Sequence, residues 1–267
     1  MTYQTIQTSL SPDGVAELVL NRPEVHNAFG DVTIAEMQQA LREFAAHPAV
    51  RVLLLKSNGK NFSAGADLNW MRSMAQKNYQ QNLDDAAELA ELMRLLDSFP
   101  APTLALVQGA AFGGALGLVA CCDIALAEPG ASFCLSEVKI GLIPAVISPY
   151  VMRAIGERAC RRYFLTAERF SADTALQLGL VHQLAEAGQL DVAADAMVRG
   201  LLQNSPAALR CAKELMAAVY QQPINSSLIA STTARIAAIR VSAEGQEGLT
   251  AFLEKRAPAW LPATEAH

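Results

Sequence analysis

Two short glycine-containing loops decide the fold, FSAGAD at residues 62–67 and GAAFGG at residues 109–114. Each loop follows an apolar run that predicts a buried strand, residues 50–56 in the first case and 103–108 in the second. Each loop also precedes a stretch with the composition of a helix. The sequence therefore predicts two strand–corner–helix units.

Ala66 and Gly114 are the residues in these loops whose backbone N–H groups are candidate donors. Two N–H groups at strand-to-helix corners can converge on one oxygen and hold a negative charge there. A helix that begins at Gly114, over residues 115–121, would add its positive dipole end. Such an arrangement favours chemistry through an enolate.

Other interpretations of the loops fit less well. Residues 109–114 have the glycine spacing of a phosphate-binding loop, but Ala115 and Leu116 stand where that motif needs Lys and Ser or Thr. A nucleophile elbow at Ser63 needs a glycine where the chain has Asn61. Taken alone, each loop could be a tight turn that lets a helix pack close to a strand.

The rest of the chain alternates strands and helices and then becomes nearly all helical. This order predicts an α/β fold with a helical C-terminal part. Residues 69–83 are polar and are predicted to be mobile. The predicted elements are a strand at 15–20, a helix capped by Asp31 or Thr33 with a Thr33–Glu36 capping box, a helix at 84–98, strands at 124–127 and 132–135, helices after about 156, and a helix start at Ser205-Pro206.

Composition excludes several classes of protein. The 267 residues are 52% hydrophobic and 18% charged, which is typical of a globular chain with a large core. The net charge of −5 and the absence of a long Lys/Arg run argue against nucleic acid as a partner. No apolar stretch reaches the roughly 18 residues of a membrane span, and the start of the chain is not typical of a signal peptide. The five cysteines lack metal-like spacing and are predicted to be reduced, so we expect a cytoplasmic protein.

Separated motifs in this chain resemble the crotonase superfamily, the enoyl-CoA hydratases and isomerases. The resemblance covers nearly the whole chain. Its motifs are LNRPEVHNA at residues 20–28, the two glycine loops, SEVKIGLIP at 136–144 and FLEKR at 252–256. It implies a crotonase-like spiral of β-β-α turns over residues 1–200 and a C-terminal helical trimerisation region over 201–267. It also implies a homotrimer or a hexamer built as a dimer of trimers.

The resemblance also implies the residues of an acyl-CoA thioester site. Ala66 and Gly114 match the oxyanion-hole donors, and Glu137 matches an active-site acid. Asp67 is interpreted as a structural cap of its turn, although it lies in the matching loop. The segments that contact CoA contain Arg22, Val25, His26, Ala64, Ala66, Asp67, Leu68, Gly114 and Lys255. CoA is part of the substrate, and no separate cofactor or metal is expected.

The chain departs from the two-glutamate hydratases at Gly117, which stands where their first glutamate lies. Glu137 is then the single acid. Together with the segment EVKIGLIPAVISPY at 137–150, Gly117 resembles the bacterial methylglutaconyl-CoA and carboxygeranoyl-CoA hydratases of leucine or acyclic terpene breakdown. This implies hydration of a branched 2-enoyl-CoA. The alternatives are a Δ3,Δ2-enoyl-CoA isomerase and a non-catalytic CoA-binding relative.

A glycine at position 117 is expected to enlarge the pocket and to suit an acyl group that carries its own carboxylate. Arg72 or Arg153 could bind that carboxylate, although Arg72 is better interpreted as a solvated helix residue. The apolar residues that could line the acyl pocket, or could equally be plain core, are Trp70, Met71, Leu116, Val146 and Ile147.

Overall fold

The structure is a computed structural model that describes residues 3–261. Its strands are β1 (Ile6–Leu10), β2 (Val15–Leu20), β3 (Val52–Ser57), β4 (Thr103–Val107), β5 (Ala110–Phe112), β6 (Ile124–Ala127), β7 (Ser132–Cys134), β8 (Phe170–Ser171) and β9 (Gln183–Leu184). Its α-helices are α1 (Asp31–Ala46), α2 (Leu68–Met74), α3 (Tyr79–Asp97), α4 (Gly114–Cys121), α5 (Ser148–Thr166), α6 (Ala172–Leu178), α7 (Leu190–Leu202), α8 (Pro206–Val219), α9 (Ser226–Arg240) and α10 (Ala243–Glu254). Single 3-10 turns lie at Pro23–Val25 and Glu137–Ile140.

The strands form two sheets. The larger sheet has the order β1-β2-β3-β4-β6-β9, and all its neighbouring strands are parallel except β1 and β2. The smaller sheet has the order β5-β7-β8, with β5 parallel to β7 and β7 antiparallel to β8. This architecture confirms the predicted α/β fold.

The larger sheet is buried on both faces. Side chains on one face of β3 and β4 join the main core with α1, α3 and α4, and those on the other face pack against α7. Parallel strands covered on both faces have continuous apolar sequences rather than alternating ones. For this reason the apolar runs at residues 50–56 and 103–108 correctly predicted strands.

Two helix starts differ from prediction. The Thr33–Glu36 capping box does not form, because α1 already begins at Asp31 after the N-cap Gly30. The carboxylate of Glu36 instead accepts the N–H groups of Gln4 and Thr5, at 2.7 and 2.9 Å, and so fastens the N-terminal segment to α1.

Helix α3 begins five residues before the predicted start. Asn78 and Gln81 form a capping box that starts it at Tyr79, while its buried residues come only later, at Leu92, Met93 and Leu96. The apolar stripe therefore revealed only the part of the helix that touches the core. The segment 69–83, predicted to be mobile, is largely occupied by α2 and the first turn of α3.

The C-terminal helices α8, α9 and α10 pack mainly against one another. Ser205 caps α8 by accepting the N–H of Ala208 at 3.0 Å, and Pro206 occupies its first turn, as predicted. Lys213 ties α8 to the core through Asp123 at 2.6 Å. The predicted division after residue 200 falls in the last turn of α7 and stays a prediction. The two-residue strands β8 and β9 are too short for their pattern to show in the sequence.

Candidate active site

The two glycine loops lie side by side. The N–H of Ser63 donates to the carbonyl of Ala110 at 2.9 Å, and the N–H of Phe112 donates to the carbonyl of Ser63 at 3.1 Å. Gly65 has φ +93°, and a Cβ there would lie 2.8 Å from the carbonyl oxygen of Phe112 and 3.9 Å from Cα of Gly113. Only a glycine permits both this backbone conformation and this close approach.

The predicted donors Ala66 and Gly114 both have unused N–H groups. Phe29 forms backbone hydrogen bonds with the residues on either side of Ala66. Its N–H donates to the carbonyl of Gly65, and its carbonyl accepts the N–H of Asp67. Gly114 is the first residue of α4, where N–H groups have no partner within the helix. Neither the Ala66 nor the Gly114 N–H has a hydrogen-bond partner among residues 3–261. Both are therefore free to donate to a ligand oxygen.

Glu137 lies against the second loop. It opens the 3-10 turn that follows β7, and its Oε1 lies 3.3 Å from where a Cβ on Gly113 would stand. Its Oε2 is buried and has no hydrogen-bond partner. Burial raises the pKa of the Glu137 carboxyl above its ordinary value, against a smaller opposing effect of its own backbone N–H. A raised pKa moves the proton exchange of this carboxyl towards neutral pH.

The structure corrects the prediction that Gly117 enlarges the pocket. A Cβ on Gly117 would lie 2.2 Å from Cγ2 of Ile147, 2.7 Å from its Cβ and 3.3 Å from Sδ of Met93. These apolar side chains already fill the volume that a glutamate on α4 would occupy. No space is gained there, and the wild-type packing has no room for a second carboxylate.

Most of the predicted acyl-pocket residues belong to the core. Leu116 and Ile147 are buried and pack in the main hydrophobic cluster. Trp70 is also buried, and its Nε1–H donates to Asp85 at 3.1 Å. Met71 and Val146 are half-buried and so are the members of this set that retain accessible surface.

Arg22 and Asp67 form an ion pair beside the first loop, with Nη1 of Arg22 3.1 Å from Oδ2 of Asp67. Asp67 is the N-cap of α2 and accepts the N–H groups of Asn69 and Trp70, which confirms its interpretation as a structural cap. Arg22 also donates to the carbonyl of Ala28. The ion pair joins residues 20–28, which resemble a CoA-contacting segment, to the first loop.

The remaining residues of the predicted CoA site lie at the surface beside this pair. Ala64 and His26 are exposed, Val25 is half-buried, and the Leu68 side chain is 69% exposed. His26 has φ +55°, and its Nδ1 lies 3.1 Å from Nδ2 of Asn61. An exposed rim of this kind is open to a ligand along the two loops.

Three predicted cations are not assembled with this rim. Lys255 ends α10 with φ +56°, and within residues 3–261 its exposed side chain makes no hydrogen bond or ion pair. Arg72 is exposed and donates to Asn69, which confirms that it is a solvated helix residue. Arg153 is paired with Asp97 and lines a cavity of about 500 Å³ at the C-terminal end of α4.

Sequence reasoning missed the buried residue that holds the first loop. Asn27 is 2% exposed, and its side chain donates to the carbonyls of Asn58 and Asn61 at 2.8 and 2.9 Å and accepts the N–H of Arg22. It has φ +53°, a conformation that Asn tolerates better than most residues. Phe29 was missed as well, and its ring packs against Gly114. The sequence feature that could have indicated the role of Asn27 was an Asn in the polar segment before α1.

The cysteines are free thiols, and all but Cys211 are buried, as predicted. Burial raises the pKa of Cys122 to about 12 and that of Cys121 further. Neither thiol is a nucleophile at neutral pH. The described part of the chain holds no group of three or more His, Cys, Asp or Glu side chains arranged to bind a metal ion.

Residues 11–262 match the family model described as enoyl-CoA hydratase/isomerase. This chain belongs to that family. An enoyl-CoA hydratase from Shewanella pealeana, of known structure, is 56% identical, with a TM-score of 0.94 and 96% of each chain covered. A mevalonyl-coenzyme A hydratase of Aspergillus fumigatus is 32% identical over 98% of this chain and 96% of its own. A hydroxycinnamoyl-CoA hydratase-lyase of Pseudomonas fluorescens is 31% identical over 79% and 77%.

These similarities confirm the crotonase fold and an enoyl-CoA hydratase/isomerase type of activity. An acyl-CoA thioester is the substrate class consistent with this family. In the part of the chain that the structure describes, no helix is both long and apolar enough to cross a membrane.

Proposed function

We propose that this enzyme adds water to a branched 2-enoyl-CoA of the 3-methylglutaconyl type, with Glu137 as its single acid–base group. The observation that carries the proposal is the buried, unpartnered Oε2 of Glu137 beside two loops whose Ala66 and Gly114 N–H groups are also unpartnered. Unsatisfied buried groups are rare in folded proteins and call for a ligand or a catalytic role.

In the proposed reaction the thioester carbonyl oxygen accepts hydrogen bonds from Ala66 and Gly114. The Glu137 carboxylate takes one proton from a water molecule while the water oxygen bonds to C3. The C2–C3 electron pair moves into the enolate, and its oxyanion is held by the two N–H groups. Protonated Glu137 then gives that proton to C2, so one water is added and Glu137 is restored. Removing one such N–H donor costs about 3–4 kcal/mol of transition-state stabilisation.

The CoA part of the substrate would lie along the exposed rim of the first loop, at Arg22, Val25, His26, Ala64 and Leu68. Because the ion pair with Asp67 already holds the Arg22 guanidinium in place, Arg22 would present a fixed positive charge to CoA. Ala66 is half-buried and lies in the same loop, between Ala64 and Leu68. Lys255 would reach CoA from a neighbouring subunit.

Support for a branched acyl group comes from the segment at residues 137–150 and from a relative. The Aspergillus fumigatus relative is, by its name, a hydratase of mevalonyl-CoA, whose acyl group carries a methyl branch. Neither Arg72 nor Arg153 supports the distal-carboxylate part of the proposal, since Arg72 lies in solvent and Arg153 is paired with Asp97.

One observation favours an isomerase as the second candidate. Ile147 and Met93 fill the place of a second carboxylate, so no second acidic group on α4 can hold the attacking water. Isomerisation needs one carboxylate only, because Glu137 would remove a proton from C2 of a 3-enoyl-CoA, with the C3–C4 double bond moving to C2–C3, and return that proton to C4 without water. Loss of all activity, with CoA binding retained, is the third possibility.

The test is incubation of the pure protein with 3-methylglutaconyl-CoA, crotonyl-CoA and 3-hexenoyl-CoA, with products followed by mass. Gain of one water on the branched substrate, lost in Glu137→Gln, supports the proposal. Conversion of 3-hexenoyl-CoA to its 2-enoyl isomer without a mass change makes the protein an isomerase. Saturable CoA binding without turnover of any substrate would leave only the binding role.

We further propose a homotrimer or a dimer of trimers that works in the cytoplasm. The C-terminal helices expose large apolar side chains, with Ile236 on α9 47% exposed and Phe252 and Leu253 on α10 81% and 78% exposed. Exposed apolar side chains clustered on a few helices mark protein–protein contact. Free buried thiols fit a reducing compartment. Light scattering after gel filtration measures the mass of the assembly, and a monomer would contradict the proposal.

A further inference from the structure

The chain from Glu137 to Ile147 contacts the start of α4 at both of its ends. The carboxylate of Glu137 lies over Gly113, the N-cap of α4, and the side chain of Ile147 lies over Gly117. Gly113 precedes the helix in a non-helical conformation, with φ +54°, and Gly117 lies four residues further on, a rise of about 6 Å along a helix. The carboxylate and Ile147 therefore contact the start of α4 about one helical turn apart.

The contact at Gly117 leaves no spare room. Gly117 is helical and is not among the glycines with positive φ, so the backbone conformation does not demand a glycine there. What demands it is Ile147, which is 2% exposed and whose Cγ2 and Cβ would lie 2.2 and 2.7 Å from a Cβ at position 117. A single added methyl group must push Ile147 away from α4.

The stretch between the two ends is largely exposed but is tied to Glu137 through its backbone, since the N–H of Leu142 donates to the carbonyl of Glu137 at 3.0 Å. Residues 139–143 and Ala145 are exposed, and Pro144 is the buried residue among them. At the start of the segment, Gly113 donates its N–H to Cys134 at 2.8 Å, which fixes the strand end before Glu137. Beyond the 3-10 turn, the buried side chain of Ile147 lies against α4 at Gly117.

We propose that Ile147, seated on Gly117, is a positioning residue that holds the Glu137 carboxylate over Gly113. The inference rests on the proposed function, because it assigns Ile147 its role through the Glu137 that carries the proton. Lifting Ile147 off α4 moves the segment outward and admits water to Oε2. The proton transfer is then slower while the CoA rim, formed by other segments, is unchanged.

The test uses Gly117→Ala with two partner changes at position 147. Ile147→Val keeps both atoms that approach position 117, whereas Ile147→Ala removes Cγ2 and leaves only Cβ. Gly117→Ala should lower kcat about 10- to 100-fold with KM within about twofold, since a displacement of about 1 Å has effects of this size. The Val double variant should stay impaired, and the Ala double variant should regain part of the loss, because the 2.2 Å contact is removed while the 2.7 Å contact of the Cβ atom remains.

A second readout does not depend on turnover. The pKa of Glu137 is measured by carbon NMR on protein labelled at glutamate, with Glu137→Gln identifying the resonance. It should be raised in the wild type, fall towards the ordinary glutamate value in Gly117→Ala and in the Val double variant, and rise again in the Ala double variant. A wild type without turnover on any enoyl-CoA would refute the proposed function, and the NMR series would still decide the role of Ile147.

Equal pKa values of Glu137 in wild type and folded Gly117→Ala would overturn the inference, as would Val and Ala double variants that behave alike. If Gly117→Ala does not fold, the single variants decide the question. Ile147→Ala should then lower the pKa of Glu137, and Ile147→Val should leave it near the wild-type value. Identical pKa values in these two variants would refute the positioning role.

Discussion

Replacing Glu137 with glutamine removes proton exchange and little else. Glutamine has nearly the shape of glutamate, so the contact with Gly113 is kept, and the Ala66 and Gly114 N–H groups are untouched. A positioned acid–base group contributes about 10²- to 10⁴-fold, or about 3–5 kcal/mol, to a rate. The carboxylate of Asp67 in the first loop is paired with Arg22 and caps α2, whereas Glu137 Oε2 is buried without a partner, so we expect a loss of kcat towards the upper end of that range.

The same substitution changes the pH dependence of stability. Burial raises the pKa of Glu137, so its protonated form is favoured in the folded state. The stability from this group is fully present below the pKa of the unfolded chain and is lost as the pH rises through the higher folded pKa. A glutamine side chain does not ionise, so the variant lacks this pH-dependent contribution to stability. The variant should therefore gain in free energy of unfolding, relative to wild type, as the pH is raised from 4 to 8.

Both effects are measured on the same preparations, by turnover of the substrate that the wild type accepts and by urea unfolding across pH. Glu186→Gln is the matched control, because Glu186 is exposed and removal of its charge should leave both quantities unchanged. A Glu137→Gln enzyme that retains more than about a tenth of wild-type kcat would refute the role of Glu137. A difference in unfolding free energy that is constant with pH would refute the raised pKa.

Three further substitutions test other parts of the structure. Gly65→Ala should cost about 1–3 kcal/mol in urea unfolding and abolish most turnover, because φ is +93° and the new Cβ meets the Phe112 carbonyl at 2.8 Å. Gly130→Ala, with nothing within 4 Å, is its control and should behave as wild type. Asn27→Ala should lower the unfolding free energy by about 2–3 kcal/mol, since it leaves buried partners unsatisfied, and a smaller loss than 1 kcal/mol would contradict this. Phe252→Asp should leave the stability of the isolated subunit unchanged but reduce the mass seen by light scattering, and an unchanged mass would remove Phe252 from the interface.

Much of the fold could be predicted from local patterns. Strands β2, β3 and β4 were placed within about two residues, because each is a compact apolar run bounded by turn residues. The start of α8 followed from Ser205 and Pro206, and the cap at Asp67 followed from the chemistry of the helix N-terminus. The predicted helix boundaries were wrong where a tertiary contact, or a cap outside the apolar stripe, set the end of the helix.

The candidate site was predicted less completely. Ala66, Gly114 and Glu137 were named from their motifs, and the structure brings the two loops and the Glu137 carboxylate together. The role of Asn27 was missed because its partners are about 30 residues away in sequence. Lys255 was named from its motif, but its side chain makes no hydrogen bond or ion pair with the loops among the residues that the structure describes.

By itself the sequence determined which segments become strands, glycine corners and helices, because hydrophobic runs, turn residues and caps act over a few neighbouring positions. Only the tertiary structure decided what stands beside each of them. Gly117 read alone suggested an open pocket, yet Ile147, thirty residues further along the chain, and Met93 occupy that volume. Close packing is a property of atoms brought together by folding, and a local pattern carries no record of it.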